Sequence, residues 1–210
     1  MPVTAVGYSQ SEVVRKITQV YIKPNSLVLD CTYGEGLFWR ECLIQHFQLV
    51  TSDLKPIAKV SVIADYTRLP FESETFNAIF FDPPYYGAPR GKRGIISKEA
   101  EYFILRRQVE LEYLTALPEI LRCTKARGLV VVKSSPGCIN QDWLRILFKP
   151  FFTYERDFIL IASNIHRRTD YVYSGHDYFH IFHKRGRVAK NVTTSKEVTI
   201  NVTTNKKEIA

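Results

Sequence analysis

The sequence predicts an α/β fold, in which a mostly parallel sheet of seven strands is covered by helices on both faces. Three observations support this prediction. Short apolar runs bounded by turn residues alternate with segments of helical spacing. Four of these runs, taken in order, end in an aspartate: Asp30, Asp53, Asp65 and Asp82. A glycine turn follows the first run, at the strand end where open α/β sheets bind their ligands.

The elements of the first half follow from spacing and turn residues. Residues 9–21 have apolar side chains at helical spacing after a possible N-cap at Ser9 or Ser11, and Pro24 ends this helix. Residues 26–31 form a short apolar run, which predicts a buried strand. A helix is predicted after the glycine turn, and two further strands each end in an acid. These three elements are residues 37–47, 50–53 and 60–65.

The second half begins with a strand whose end is fixed by prolines. Residues 78–81 are apolar, and the strand stops at Asp82 because the two following prolines cannot donate to a sheet ladder. Amphipathic spacing predicts a long helix, bent at Pro118, and a second, short helix. Three apolar runs predict the last strands. The helices are residues 98–124 and 140–148, and the strands are residues 128–134, 158–162 and 178–183.

The composition favours one globular domain with a polyanionic partner. The chain has 210 residues, of which 45% are hydrophobic and 24% charged. Lys and Arg exceed Asp and Glu by 29 to 21, so polyanions are the first candidate partners. Part of the surplus lies in the C-terminal tail, where solvated charge is the alternative. No apolar run long enough to span a membrane and no signal-peptide pattern is present. We therefore predict no membrane partner and a cytoplasmic location.

The ends of the domain and its thiols are predicted from local composition. Residues 1–183 form the predicted domain, and residues 184–210 are polar, near-repetitive and predicted to be disordered or a loose hairpin. The cysteines lack CxxC pairing, which favours reduced buried thiols over a zinc site. The histidines have no metal-ligand spacing on one helix face, so no metal is predicted. The cysteines are Cys31, Cys42, Cys123 and Cys138.

The glycine turn is typical of a nucleotide-type site. A strand ending in Asp30 is followed by Gly34 and Gly36 and then by the start of a helix. Glycine allows the backbone to approach a ligand, and a helix start offers unpaired N–H groups. Dinucleotide enzymes need a third glycine where this chain has Trp39, which argues against them. A structural turn with a helix cap is the alternative.

The tetrapeptide Asp82, Pro83, Pro84 and Tyr85 favours binding of a flat ring that has an amino group. The prolines stiffen the turn. The Asp82 carboxylate and the Pro83 carbonyl can accept the two amino protons, while Tyr85 stacks on the ring. The alternative is a strand-ending turn without a ligand.

Two basic segments are candidates for phosphate contacts. Residues 87–97 follow the tetrapeptide and are rich in Gly, Pro, Arg and Lys, and residues 163–177 are polar, aromatic and basic. Either could hold phosphates or close over a flipped nucleotide, and solvated loops with incidental charge are the alternative. The predicted nucleic-acid contacts are Tyr86, Arg90, Lys92, Arg93, Arg167 and Arg168.

Together, the glycine turn and the tetrapeptide resemble the motifs of the S-adenosylmethionine (SAM)-dependent amino-methyltransferases, which methylate exocyclic nitrogens of nucleic-acid bases. The resemblance covers residues 9–183. It implies a Rossmann-like class I SAM methyltransferase fold with an antiparallel last strand. Aspartate at position 82 favours adenine N6 in DNA by analogy. A separate target-recognition domain has no room in this chain, so RNA (adenine N6 or guanine N2) stays open as the substrate.

The resemblance also implies roles for the strand-end residues. The methionine end of SAM would lie against Asp30 and the glycine turn, which comprises Thr32, Tyr33, Gly34 and Gly36. The carboxylate of Asp53 is placed to accept both ribose hydroxyls. Asp65 and Tyr66 would contact the adenine. A small-molecule or protein N-methyltransferase and a non-catalytic nucleic-acid-binding protein remain alternatives, and the oligomeric state is open.

Overall fold

The computed structural model describes residues 4–55, 59–84, 98–136, 138–161 and 176–186, with side chains from residue 106 onward in the long helix. The described part of the chain contains eight strands and three α-helices. The strands are β1 (Val6–Gly7), β2 (Leu27–Asp30), β3 (Gln48–Asp53), β4 (Val62–Ile63), β5 (Phe76–Phe81), β6 (Thr124–Ser134), β7 (Phe152–Ile161) and β8 (His176–Lys184). The helices are α1 (Gln10–Tyr21), α2 (Lys98–Cys123) and α3 (Gln141–Phe148).

All described strands join one sheet in the order β1-β7-β8-β6-β5-β2-β3-β4. β8 runs antiparallel to both of its neighbours, β6 and β7. The other pairs are parallel. The predicted α/β class, the mostly parallel sheet and the antiparallel last strand are therefore confirmed. The sheet has one strand more than predicted in this part of the chain, because the two-residue β1 pairs with the edge of β7.

The strand order reverses beside β2. The chain goes outward from β2 through β3 to β4, then returns to place β5 on the other side of β2. Asp30 of β2 pairs in register with Phe80 of β5, so the carboxyl ends of these two strands lie side by side. Open α/β sheets bind ligands at such a switch point.

Helices cover both faces of the sheet, as predicted. On one face α2 and α3 pack over Ile79 and Phe81. On the other face α1 packs over Ala78 and Phe80. Consecutive residues of β5 thus alternate between two cores, which is the period of a strand buried on both sides.

Ser9, one of the two predicted N-cap residues of α1, is the N-cap in the structure. The Ser9 side chain accepts a hydrogen bond from the backbone N–H of Glu12 at 3.0 Å, which satisfies one N–H of the first helical turn. Asn140 caps α3 in the same way by accepting from the Trp143 N–H at 3.0 Å. Pro118 lies inside α2.

The helix predicted over residues 37–47 is wrong. The segment forms two short 3₁₀ turns, Leu37–Trp39 and Ile44–His46. The residue before the first turn is Gly36, which has no side chain to cap the free N–H groups. Trp39 is instead held by a tertiary hydrogen bond to the preceding strand end. Local spacing alone could not reveal that competing contact.

Several strand bounds also differ from the prediction. β7 begins at Phe152, six residues before the predicted start, because its first half is exposed and polar and lacks an apolar run. β4 is reduced to two residues, and Asp65 lies beyond it. None of the described helices is long and apolar enough to cross a membrane.

Candidate functional site

A cavity of about 180 Å³ opens at the carboxyl ends of β2 and β5. Its walls come from the start of α1, the glycine turn, the first 3₁₀ turn and the residue that follows β5. The lining residues are Gln10, Asp30, Thr32, Tyr33, Gly34, Glu35, Leu37, Phe38 and Asp82. The cavity therefore joins residues from both predicted motifs.

The two glycines of the turn have a left-handed backbone. Gly34 has φ of 53° and Gly36 has φ of 72°, values at which L side chains are strained. At Gly36 a Cβ would also lie 2.5 Å from Tyr33 Oη, because the tyrosine ring folds over this position. At Gly34 the space is open, since a Cβ would meet no atom closer than 4.0 Å. The turn therefore presents a bare backbone toward the cavity at Gly34.

Asp30 is buried and fastens the turn. Its Oδ1 accepts the Thr32 N–H at 3.0 Å, and its Oδ2 accepts the Trp39 Nε1–H at 2.7 Å. Burial raises the pKa of Asp30 to about 7, against the lowering effect of these two hydrogen bonds. Asp30 is both a wall of the cavity and the anchor of the turn. Trp39, whose position argues against a dinucleotide enzyme, is thus also the partner of Asp30, a contact that the sequence does not reveal.

Asp53 also contacts the turn. Its Oδ2 accepts the Gly34 N–H at 2.8 Å, and its Oδ1 accepts the Lys55 N–H at 2.9 Å. A carboxylate has about four acceptor sites, so these two contacts leave acceptor capacity on a partly buried group. The end of β3 is thereby joined to the turn after β2.

Asp82 lies at the other side of the cavity. Its backbone N–H donates to Thr32 Oγ1 at 2.8 Å. Its Oδ2 is 3.0 Å from Lys133 Nζ, on the neighbouring strand β6. Pro83 is buried and Pro84 is exposed. Asp82 is thus held at two points: its backbone N–H is bound by the glycine turn, and its carboxylate is bound by Lys133.

Asp65, the third acid in chain order, does not line the cavity. Asp65 is exposed, and its Oδ1 accepts both the N–H and the hydroxyl of Thr67, at 2.8 and 2.7 Å. The Tyr66 hydroxyl donates to Glu112 of α2, and its ring packs edge-on against Phe81. Neither side chain is among those that line the cavity. Their adenine contacts stay predictions.

The remaining predicted contacts lie outside the described residues. They are Tyr85 of the tetrapeptide and the nucleic-acid contacts Tyr86, Arg90, Lys92, Arg93, Arg167 and Arg168. The described cysteines are all free thiols. Among the described residues no group of three metal-ligating side chains lies close enough together to hold a metal ion.

Gln10, Lys133 and Asp177 are further site residues that sequence reasoning missed. Gln10 lines the cavity from the start of α1. Lys133 Nζ also lies 3.7 Å from Asp177 Oδ2, so it joins two carboxylates. For Lys133 the sequence contains a usable signal, because this lysine ends an otherwise apolar run that is predicted to be a strand of the same sheet.

Two other features of the described residues do not combine open access with a strand-end acid. Ser134, His180 and Asp157 form a hydrogen-bonded chain, with His180 Nε2 2.8 Å from Ser134 Oγ and Nδ1 2.6 Å from Asp157 Oδ1. Ser134 and His180 are fully buried, so this chain joins strands and offers no accessible nucleophile. A cavity of about 270 Å³ lies at the opposite end of the strands, between α3 and the start of β7. It is larger, but its lining includes none of the predicted site residues.

No protein-family model matches the chain, and no curated protein sequence matches it either. Solved structures do match. TrmN from Thermus thermophilus has a TM-score of 0.55 and 14% identity over 83% of this chain and 48% of TrmN, so the chain spans about half the length of TrmN. The N-methyltransferase NodS from Bradyrhizobium japonicum WM9 has a TM-score of 0.56 and 12% identity over 83% of this chain and 95% of NodS.

NodS has also been solved in complex with S-adenosyl-L-homocysteine. A TehB-like SAM-dependent methyltransferase from Corynebacterium glutamicum has a TM-score of 0.53 and 16% identity over 85% of this chain and 88% of its own. At such identities the likeness shows the fold. The chain has the Rossmann-like fold of class I SAM-dependent methyltransferases, as the sequence predicts.

Proposed function

We propose that the chain is a SAM-dependent methyltransferase that acts on the exocyclic amino group of a nucleic-acid base, with adenine N6 in DNA as the first candidate. One observation supports the proposal above all: the glycine turn and Asp82 line the same cavity. A methyl donor held at the turn would therefore face an amino group held at Asp82. Such juxtaposition is the main requirement of a direct displacement.

The chemistry of the cavity fits SAM. The donor contains a sulfonium and an ammonium, and the cavity is lined by the carboxyl groups of Asp30 and Asp82, with Asp53 behind the turn. The bare backbone at Gly34 leaves room for close approach of a ligand. Bound SAM would supply an electrophilic methyl group. The turn, Asp30 and Asp53 would hold and orient it, and Asp82 would face the methyl acceptor.

The role of Asp82 follows from the weakness of an aromatic amine as a nucleophile. The nitrogen lone pair is delocalised into the ring, so the nitrogen must become pyramidal before it can attack. The Asp82 carboxylate and the Pro83 carbonyl would accept the two amino protons and favour that geometry. Asp82 would act as an acceptor that orients the amine, and no covalent enzyme intermediate is needed.

The nucleic-acid part of the proposal is supported by charge. Lys and Arg exceed Asp and Glu by 29 to 21. A base in a duplex would have to be flipped out of the stack, and the tyrosines after Pro84 would replace part of the lost stacking. Phosphate contacts make affinity fall steeply as salt rises. Oligonucleotide affinity that is independent of salt would contradict this part of the proposal.

The test is incubation with methyl-labelled SAM and a panel of duplex DNA, single-stranded DNA, RNA and small amines, followed by mass spectrometry of the nucleosides. The proposal predicts label in N6-methyladenine from DNA. Label in RNA would keep the enzyme class and change the substrate. Label only in small amines would overturn the nucleic-acid assignment, and no label in any acceptor would overturn the methyltransferase itself.

A further inference from the structure

Lys133 is a deeply buried cation beside the candidate site. Its side chain is 6% exposed, and its Nζ lies 3.0 Å from Asp82 Oδ2. The same Nζ lies 3.7 Å from Asp177 Oδ2, at the start of β8. The Asp82 and Asp177 side chains are 19% and 27% exposed. A single ammonium is therefore shared by two carboxylates at the rim of the sheet.

A lysine buried to this extent is costly unless it is paired, because the ammonium loses its hydration. Packing alone would be served better by an apolar side chain of similar volume. The three residues that precede Lys133 in the strand are all valines. The pairing with Asp82 instead places a fixed positive charge directly behind the carboxylate that faces the cavity. The cost of this burial therefore needs a reason other than packing.

We propose that Lys133 is a positioning residue for methyl transfer. It holds Asp82 through Oδ2, keeps that carboxylate ionised and fixes its direction, so that Asp82 accepts a hydrogen bond from the target amino group rather than rotating away or becoming protonated. Asp177 holds the ammonium from the other side. This inference rests on the proposed function, because the amino group that Asp82 would orient belongs to the proposed nucleic-acid substrate.

The backbone of Lys133 is fixed independently of Asp82. Its carbonyl accepts the Tyr113 hydroxyl of α2 at 2.8 Å, and it pairs in register with Phe179 of β8. The lysine side chain therefore starts from a rigid point. The charged groups near Asp82 include Lys133 from β6, Asp177 from β8 and Asp30 from β2. Of these three, Lys133 is the cation.

The first test compares Lys133→Met with Lys133→Arg in the methyl-transfer assay. We expect Lys133→Met to lower kcat roughly 10- to 100-fold with KM for SAM within about threefold, because orientation is lost and cofactor contacts remain. Lys133→Arg should keep most of the wild-type kcat because it retains the charge. The acid limb of the pH profile should move to higher pH in Lys133→Met only, since loss of a neighbouring cation disfavours the ionised carboxylate.

Lys184→Met is the matched control. Lys184 is also a mostly buried lysine, with Nζ 2.6 Å from the Thr124 carbonyl and 3.6 Å from Glu74, at the far end of the sheet. We expect this variant to lose stability while keeping the pH profile of the wild type. Asp177→Asn keeps Lys133 and nearly keeps the shape of the Asp177 side chain, so it should lower kcat less than Lys133→Met does. This variant still tests the proposal if Lys133→Met fails to fold.

The second test needs no activity. Carboxyl-carbon NMR of ¹³C-aspartate-labelled protein, with the Asp82 signal assigned by its loss in Asp82→Asn, should show Asp82 titrating at higher pH in Lys133→Met than in the wild type. Asp177→Asn should not move the titration to higher pH, because it removes a neighbouring negative charge and keeps the ammonium. Unchanged titration or wild-type kcat in Lys133→Met would overturn the inference. If the wild type transfers no methyl group, the proposed function fails, and the NMR comparison still decides whether Lys133 controls Asp82.

Discussion

Thr32 accepts a hydrogen bond from the backbone N–H of Asp82, with 2.8 Å between Oγ1 and N. Thr32 belongs to the turn after β2, and Asp82 is the first residue after β5. The two strands are neighbours in the sheet, yet their residues are far apart in the sequence. One hydroxyl thus fixes the position of the tetrapeptide relative to the glycine turn.

Replacing Thr32 by valine removes this hydroxyl and nearly keeps the shape of the side chain. The Asp82 N–H loses its acceptor, which costs about 1–3 kcal/mol where the group is shielded from water. We expect lower stability in urea unfolding and a kcat at least about fivefold lower, because the carboxylate is displaced.

Thr32→Ser is the control, since it keeps the hydroxyl and should retain most of the wild-type kcat. Equal activity in the valine and serine variants would show that the hydroxyl does not position Asp82. A stability loss without a change in kcat would make Thr32 a structural residue alone.

The two glycines of the turn should differ in their response to alanine. Gly34→Ala meets no close atom and only the strain of the left-handed backbone, about 1 kcal/mol. Gly36→Ala has that strain and a Cβ 2.7 Å from Tyr33 Cζ, so the tyrosine ring must move. Urea unfolding should therefore show the larger loss for Gly36→Ala. An equal loss for the two variants would contradict the position of the Tyr33 ring.

The buried carboxyl of Asp30 predicts a pH dependence of stability. Burial raises its pKa from 3.8 to about 7 in the folded state. The folded protein therefore holds this proton more tightly than the unfolded chain does. The contribution is fully present below about pH 4 and is lost as the pH rises through about 7. The wild type should accordingly lose stability relative to Asp30→Asn between pH 5 and pH 8.

The measurement is the free energy of unfolding in urea at several pH values for both proteins. Asp30→Asn replaces the acid by an isosteric group that does not titrate, so the difference between the two proteins isolates Asp30. A constant difference from pH 5 to pH 8 would contradict the raised pKa.

The positions of the strand-end acids could be predicted because they follow from short-range patterns. An apolar run identifies a buried strand, and proline or glycine marks where it ends, so Asp30, Asp53 and Asp82 were assigned to one rim from the sequence alone. The structure places all three around the glycine turn.

The contacts that hold these acids could not be predicted, since they depend on distant segments. Trp39 reaches back to Asp30 and prevents the predicted helix. Lys133 meets Asp82 only because β6 pairs with β5. Residues 153–156 of β7 are all exposed, so this half of the strand has no alternation of apolar and polar residues and no strand signal in the sequence.

The most direct test of the account measures cofactor binding and methyl transfer in the same Asp82→Ala protein. Calorimetry should give an affinity for S-adenosylhomocysteine within about threefold of the wild type, because the glycine turn, Asp30 and Asp53 remain. Transfer of labelled methyl groups to the accepted nucleic acid should fall below detection. Retained transfer, or an equal loss of cofactor affinity, would contradict the assignment of Asp82 to the acceptor side of the cavity.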